Sequence, residues 1–300
     1  SIRFARWDTT ADRRLGTVCL FHGRAEFIEK YFETVADLRR RGFAVATMDW
    51  RGQGGSARLL RNPAKGHAES FAAYEDDVRR FMGEIVLPDC PPPYYCLAHG
   101  MGGHVMLRLA QTRVWWERMV LSAPMIEFAG TSTRNCFRCA TSEAATLLGF
   151  GDAFIPGGKP DPWELGAFEG NCHTSDRLRF ERRQELLKAE PHLGIGAPTL
   201  GWMVAACASI SFVASGAFME TIRVPTLIVA AGNDQIVSTP AIERFASPIK
   251  TCTCIVVAGA KHEILQERDE LREQFWAAFD AYIPGASRAP RISEAIDLVP

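Results

Sequence analysis

A glycine-rich turn, a carboxylate and an imidazole, each in a setting able to serve acyl transfer, are spread over three stretches of this chain. The first is AHGMGGH, Ala98–His104, which reads as a strand-to-helix turn in the pattern G-x-S-x-G of a nucleophile elbow. Aligned on that pattern, Ala98 takes the first glycine position, Gly102 the last, and Gly100 the place of the serine. An elbow residue adopts a strained backbone with positive φ, which glycine accepts more readily than any other residue. The bend is kept and the hydroxyl is missing. The second stretch is AAGNDQIV, Ala230–Val237, in which Asp234 can accept a hydrogen bond from a histidine and fix its tautomer. The third is GAKHEI, Gly259–Ile264, where His262 offers a base whose ordinary pKa suits proton transfer at neutral pH. A fourth element, FHGRAE at Phe21–Glu26, is an HG turn of the kind that lends one backbone N–H to an oxyanion hole; the residue after the elbow lends the other. By position these donors are Arg24 and Met101.

Each feature has a plainer reading. Glycines occur in strand–helix turns for steric reasons alone. Gly100 and Gly102 also begin a dinucleotide fingerprint, but Val105 fills its third glycine position and the motif does not follow the first strand, so no nucleotide cofactor is expected. Asp234 alone could cap a helix, and His262 alone could be a satisfied loop histidine. Their order along the chain, elbow then Asp then His, and their positions at strand ends favour a joint role. His22, His99 and His104 read as packing support for the turns beside them, and His67 as an orderer of its loop. His173 and His192 have no visible partner. HEIL after Lys261 lacks the second histidine of a zinc motif, which would fall on Gln266, and no metal is expected. Asp49 and Arg51 read as a hydrogen-bonded turn. Arg177, Arg179, Arg182 and Arg183, interleaved with Glu181 and Glu185, read as a solvated helix face.

The elements that must position these groups follow from the apolar pattern. Thr17–His22, Phe43–Asp49, Tyr94–Ala98 and Arg118–Ser122 are short apolar runs of the type buried in parallel sheets, and helical spacings separate them at Ile28–Arg41, Ser70–Leu87 and Met101–Arg113. Gly42 closes the first helix. From Pro124 to about Thr221 the alternation stops, giving way to Gly/Pro-rich loops and helical segments rich in Phe, Trp and Met. It resumes at Pro225–Ala231, a helix near Thr239–Ala246, the strand Cys252–Ala258 and the helix Glu267–Tyr282, and an irregular tail is expected from Ile283 to Pro300. Strand–helix alternation predicts an α/β fold with a mostly parallel sheet flanked by helices. The expected division is a core of residues 1–124 and 222–300, with 125–221 inserted as a helical cap.

Composition narrows the class of partner. Thirty-four basic against thirty-five acidic residues leave a net charge of −1, which gives no footprint for nucleic acid. No apolar run approaches a membrane span, and charges at Arg3, Arg6 and Asp8 break up any signal-peptide layout. Nine scattered cysteines read as free, mostly buried thiols in a reducing, cytoplasmic setting; Cys136 and Cys139 form a CxxC with no second pair at metal spacing.

The chain resembles the lysophospholipase and monoacylglycerol lipase group of α/β-hydrolases, the serine aminopeptidase S33 type. The resemblance rests on FHGRAEFIEKY, MDWRGQGGS, GHAESFAAYEDDV, LAHGMGG, LIVAAGNDQIVS and GAKHEI, and the stretch TSDRLRFERRQELLKAEPHLGIGAPTLGW is similar to lysophospholipases of the bacterial L2 type. It implies an α/β-hydrolase fold and ester hydrolysis by a Ser-His-Asp mechanism, with the acid on Asp234, the base on His262 and the nucleophile on Gly100. The implied partner is a small ester or lipid substrate, approached through transient contact with a membrane surface. The apolar residues of 125–221, among them Trp163, Trp202, Met203 and Phe212, would pack the cap or line an acyl channel. Two readings of Gly100 stand. In one, Gly100 replaces a natural serine by design, to trap substrate or avoid turnover, and the otherwise intact enzyme is inactive; in the other, the chain is a natural non-catalytic binder on a hydrolase scaffold. The intact acid, base and oxyanion loop favour the first.

Overall fold

A computed structural model describes residues 1–111 and 115–286. Among the described residues seven strands form one sheet in the order β1-β3-β2-β4-β5-β6-β7: β1 Phe4–Trp7, β2 Thr17–Phe21, β3 Ala44–Met48, β4 Tyr94–His99, β5 Arg118–Ser122, β6 Thr226–Ala231 and β7 Cys252–Val257. All neighbours are parallel except β1, which runs antiparallel to β3 along the edge. Strands β2, β3 and β6 are buried at every position, because helices cover both faces of the sheet and leave no wet side. One face packs Cys19, Met48, Leu121 and Ile228 against the helices Ala72–Phe81 and Gly100–Leu109; the other packs Val18, Leu20, Val45 and Leu97 against Phe32–Arg40 and Asp269–Tyr282.

The sequence leaves β1 unread. Its residues alternate between exposed and half-buried, and a four-residue edge strand with two arginines carries little apolar signal. The first helix begins later than its pattern suggests, since Ile28–Tyr31 is a 3₁₀ turn and the α-helix runs over Phe32–Arg40. Gly42 ends it as expected, with φ +100°: its N–H bonds the Arg39 carbonyl and the Phe43 N–H bonds that of Leu38. This is a Schellman closure, which needs the left-handed backbone that glycine supplies. Arg113 and the tail beyond Ala286 lie outside the described residues.

Between β5 and β6 no residue joins the sheet, and the main helices are Ser132–Ala145, Arg177–Ala189 and Leu200–Val213. Thr131, Asp176 and Thr199 cap them, each side chain accepting a first-turn N–H. A disulfide joins Cys139 to Cys207 across the first and last of these helices, with Cα atoms 5.9 Å apart. The reading of nine free thiols is corrected for this pair. Its members are 68 residues apart in sequence, so no spacing pattern pointed to it. Among the described residues no helix is long and apolar enough to cross a membrane.

Candidate active site

The carboxyl ends of β2, β4, β6 and β7 deliver the four predicted loops to one place, where open parallel sheets form their crevices. Gly100 follows β4 and opens the helix Gly100–Leu109 with φ +53°. A Cβ placed on it would lie 3.4 Å from His262 Nε2 and 3.7 Å from Gly23 Cα. Both are ordinary contacts, and a hydroxyl one bond further out falls within hydrogen-bond reach of the imidazole. Gly102 and Gly103 have a different origin. A Cβ on Gly102 would come within 2.6 Å of the His22 carbonyl oxygen, and one on Gly103 within 3.0 Å of Pro124. These two glycines let the helix approach β2 and the loop after β5, which accounts for the glycine run without a nucleotide.

His262, after β7, bonds Asp234 Oδ2 through Nδ1 at 2.8 Å. The other Asp234 oxygen accepts the N–H groups of Ile236 and Val237 at 2.8 and 3.0 Å. Burial pushes the Asp234 carboxyl up, but the His262 charge and these hydrogen bonds outweigh it and hold the carboxyl below its usual range. Burial likewise pushes His262 down; the charge and hydrogen bond of Asp234, aided by Glu263 and Glu26, reverse this and raise it above 6.5. With its folded pKa raised, His262 contributes stability that is fully present below the unfolded pKa and lost as pH rises through the folded one. Titrated by NMR through its Cε1 proton, His262 is expected to show a midpoint above 6.5 that drops below it in Asp234→Asn, where burial acts with less opposition. An unchanged midpoint in that variant would remove Asp234 as the cause.

The HG turn is held open from behind. Gly23 N–H donates to the Glu26 carboxylate and Ala25 N–H to Gln53 Oε1 at 2.7 Å, while Ala25 sits at φ +63°. Between them the Arg24 N–H has no protein acceptor among the described residues. Met101 stands in the first turn of its helix, where N–H groups lack intrahelical partners. Gly100, Arg24, Met101 and His262 all line one cavity of about 830 Å³, whose other walls come largely from the segment between β5 and β6.

Beneath this site lies a buried charge network that the sequence did not reveal. Lys30 Nζ bridges Glu26 and Glu263, the latter at 2.7 Å, and Tyr31 Oη donates to Glu26 at 2.7 Å. Arg183 pairs with the second Glu263 oxygen. The expected solvated arginine face is corrected accordingly: Arg177 and Arg182 are exposed, but Arg179 and Arg183 are buried in ion pairs. Their four-residue spacing puts both on one face of Arg177–Ala189, a signal masked by the charges around them. His173, without a visible partner in the sequence, stacks on Trp163 at 3.4 Å between ring centres and stands 3.2 Å from Glu263. Of the remaining histidines four support structure, and His192 is exposed, 3.4 Å from Glu190. His99 bonds the Ser122 carbonyl at 3.1 Å, and burial pushes its pKa down to about 4, so it faces His262 as a neutral ring. His104 bonds Ser209, His67 bonds Thr199, and His22 lies 3.3 Å from Asp49.

The serine aminopeptidase S33 family matches residues 12–269. The chain belongs to this family. Within it, the chain is 30% identical over 279 residues to lysophospholipase L2 of Escherichia coli strain K12, covering 90% of this chain and 80% of that protein. Two solved structures share the fold. A soluble variant of monoglyceride lipase from Saccharomyces cerevisiae, in complex with a substrate analog, superposes with a TM-score of 0.74 at 17% identity, covering 95% of this chain and 92% of the other. The monoacylglycerol lipase of Paleococcus ferrophilus gives 0.68 at 18% identity, over 95% and 99%. This α/β-hydrolase fold and the S33 membership agree with the resemblance read from the motifs.

Proposed function

We propose that the chain is a carboxylic ester hydrolase scaffold for lysophospholipid or monoacylglycerol-like substrates, with every element of a Ser-His-Asp site in place except the nucleophile, and that as written it binds its ester without turning it over. The observation that carries this reading is the 3.4 Å between a Cβ on Gly100 and His262 Nε2, which leaves a serine-sized space in front of a base already oriented by Asp234. Asp234 is the orienting acid, His262 the general base, and the N–H groups of Arg24 and Met101 the donors to the carbonyl oxygen. Residues 125–221 act as the cap. Their Met125, Phe128 and Met203 give the cavity an apolar wall suited to an acyl chain.

The cap also supports contact with a membrane surface. Phe137, Leu147 and Leu148 are 71, 82 and 76% exposed, an apolar tip on the first cap helix and the turn after it. A tip of this kind fits the acyl boundary of a bilayer, from which a lipid ester would enter.

A site that binds without turnover retains its ligand. Mass spectrometry of lipids extracted from the purified protein is expected to find an intact monoacyl ester in near-stoichiometric amount. Absence of bound lipid, together with failure to take up a lauroyl lysophospholipid or monolaurin at micromolar concentration, would overturn the reading. The alternative of a natural non-catalytic binder is favoured by one feature, the unstrained fit of glycine to φ +53° at the elbow. It shares the retained lipid and differs in its response to a restored hydroxyl.

A further inference from the structure

Arg24 sits at the oxyanion position through its backbone, but its side chain is the unusual feature. The guanidinium is threaded between Gly66 and the strand of chain at Gly196, and a Cβ on Gly66 would lie 2.5 Å from its Nη2. Among the described residues, Nη2 alone of its three nitrogens has a protein acceptor, the Gly196 carbonyl at 2.8 Å, and Nε is buried with none. The face of the group lies 5.2 Å from the Trp202 ring. Among the described residues no carboxylate comes within salt-bridge distance. The charge of Glu164 acts on it without pairing with it. Glu26 and Glu263 are taken by Lys30 and Arg183, and burial pushes the Glu164 carboxyl up to about 7, half neutral at physiological pH. Burial lowers Arg24 itself to about 10, which leaves it charged.

A buried cation without a counter-ion is costly unless something else supplies the charge. Arg24, half-buried as a whole residue, lines the ligand cavity together with Gly196 and Trp202, the two residues its guanidinium contacts, and a second cation, Lys159, stands exposed at the wall. We propose that Arg24 is the specificity-determining residue of the cavity, its guanidinium taking the phosphate in the alcohol half of a monoacyl ester and so favouring lysophospholipids over neutral monoacylglycerols. The chemistry fits the dimensions. As many covalent bonds separate the backbone nitrogen of an arginine from its Cζ as separate the ester carbon of an acylglycerol phosphate from its phosphorus. One residue therefore addresses both ends, with its N–H toward the carbonyl oxygen and its planar fork toward the phosphate. The proposal rests on the ester-binding reading above and deepens it.

The test uses the chain as it stands, below the critical micelle concentration. Dissociation constants are measured by calorimetry for lauroyl lysophosphatidylglycerol and for monolaurin, which differ in the phosphate-bearing head group. The unaltered protein is expected to bind the phosphate ester at least about tenfold more tightly. Arg24→Gln should collapse the ratio of the two affinities toward one, and Arg24→Lys should retain part of it. The ratio is the readout because any effect on the loop itself weakens both ligands alike and cancels. Equal affinities in the unaltered protein, or a ratio in Arg24→Gln within twofold of the original, would overturn the proposal; the first comparison needs no variant and stands even if Arg24→Gln does not fold. Inorganic phosphate alone is expected not to bind at millimolar concentration, since the acyl chain supplies the apolar contacts; tight binding of phosphate by itself would overturn the lipid source of the anion. If neither lipid binds at all, the ester-binding reading itself has failed, an outcome separate from equal binding of both.

Discussion

Gly100→Ser is expected to switch on hydrolysis of p-nitrophenyl and lysophospholipid esters by at least about a thousandfold over the glycine form, because loss of the serine from such a triad costs on the order of a millionfold. The added side chain meets no obstacle: its Cβ would make ordinary contacts with His262 Nε2 and Gly23 Cα. Oγ would pass its proton to Nε2 as it attacks the ester carbon, the carbonyl oxygen would turn toward the N–H groups of Arg24 and Met101, and Asp234 would hold the imidazolium. The leaving alcohol would then take the proton back from His262, and water would release the acyl group by the same route. The added side chain has a cost. Gly100 has φ +53°, where a residue with a Cβ is strained by about 1–3 kcal/mol, so the active variant should melt several degrees below the parent. The combination is the signature: turnover gained and stability lost at one position. A well-folded Gly100→Ser protein that is silent on a broad ester panel would leave the non-catalytic binder as the better account.

How far these residues could be found without coordinates depends on whether their signal is local. The elbow, Asp234 and His262 each lie within a few residues of a strand end, and the apolar runs that mark those strands are readable because a parallel sheet buries both faces. Order along the chain then did what distance could not. The network of Glu26, Lys30, Glu263, Arg183 and His173 had no such support. Glu26 and Lys30 are four apart and could have been read as a pair, but Glu263 meets them from 233 residues beyond Lys30 and Arg183 from a different helix. Charge on a helix is usually solvated, so the prior that serves Arg177 and Arg182 fails for Arg183, which tertiary packing buries against Glu263 and Trp163. The Cys139–Cys207 bond was hidden for the same reason, since neither partner carries local information about the other. The strand β1 was lost differently. An edge strand is half wet, and its alternation over four residues is too short to stand out.

Removal of the cation at the centre of that network is the second large effect. Lys30→Met keeps the length of the side chain and deletes the charge that faces Glu26 and Glu263, both fully buried. Breaking one side of a buried ion pair costs about 3–5 kcal/mol, since the partner left behind is an uncompensated charge. For a chain of this size the melting temperature should fall by on the order of 10 °C. Two further results separate this cause from a simple packing defect. Burial alone would raise Glu26 and Glu263, but the Lys30 charge, joined at Glu263 by Arg183, holds both below their ordinary 4.5. Carboxyls depressed in this way contribute stability above the unfolded pKa that is lost as pH falls through the folded one. The variant has already lost much of that contribution, so the gap in melting temperature between parent and Lys30→Met should be widest near pH 8 and narrow toward pH 4. Lys30→Arg, which keeps the charge, should recover more than half of the loss. Glu26 also receives the Gly23 N–H, so the same substitution should loosen the HG turn and weaken ester binding along with the fold. A fall of under 2 °C, or a gap that does not change with pH, would mean that the charges beneath the site pair well enough without Lys30.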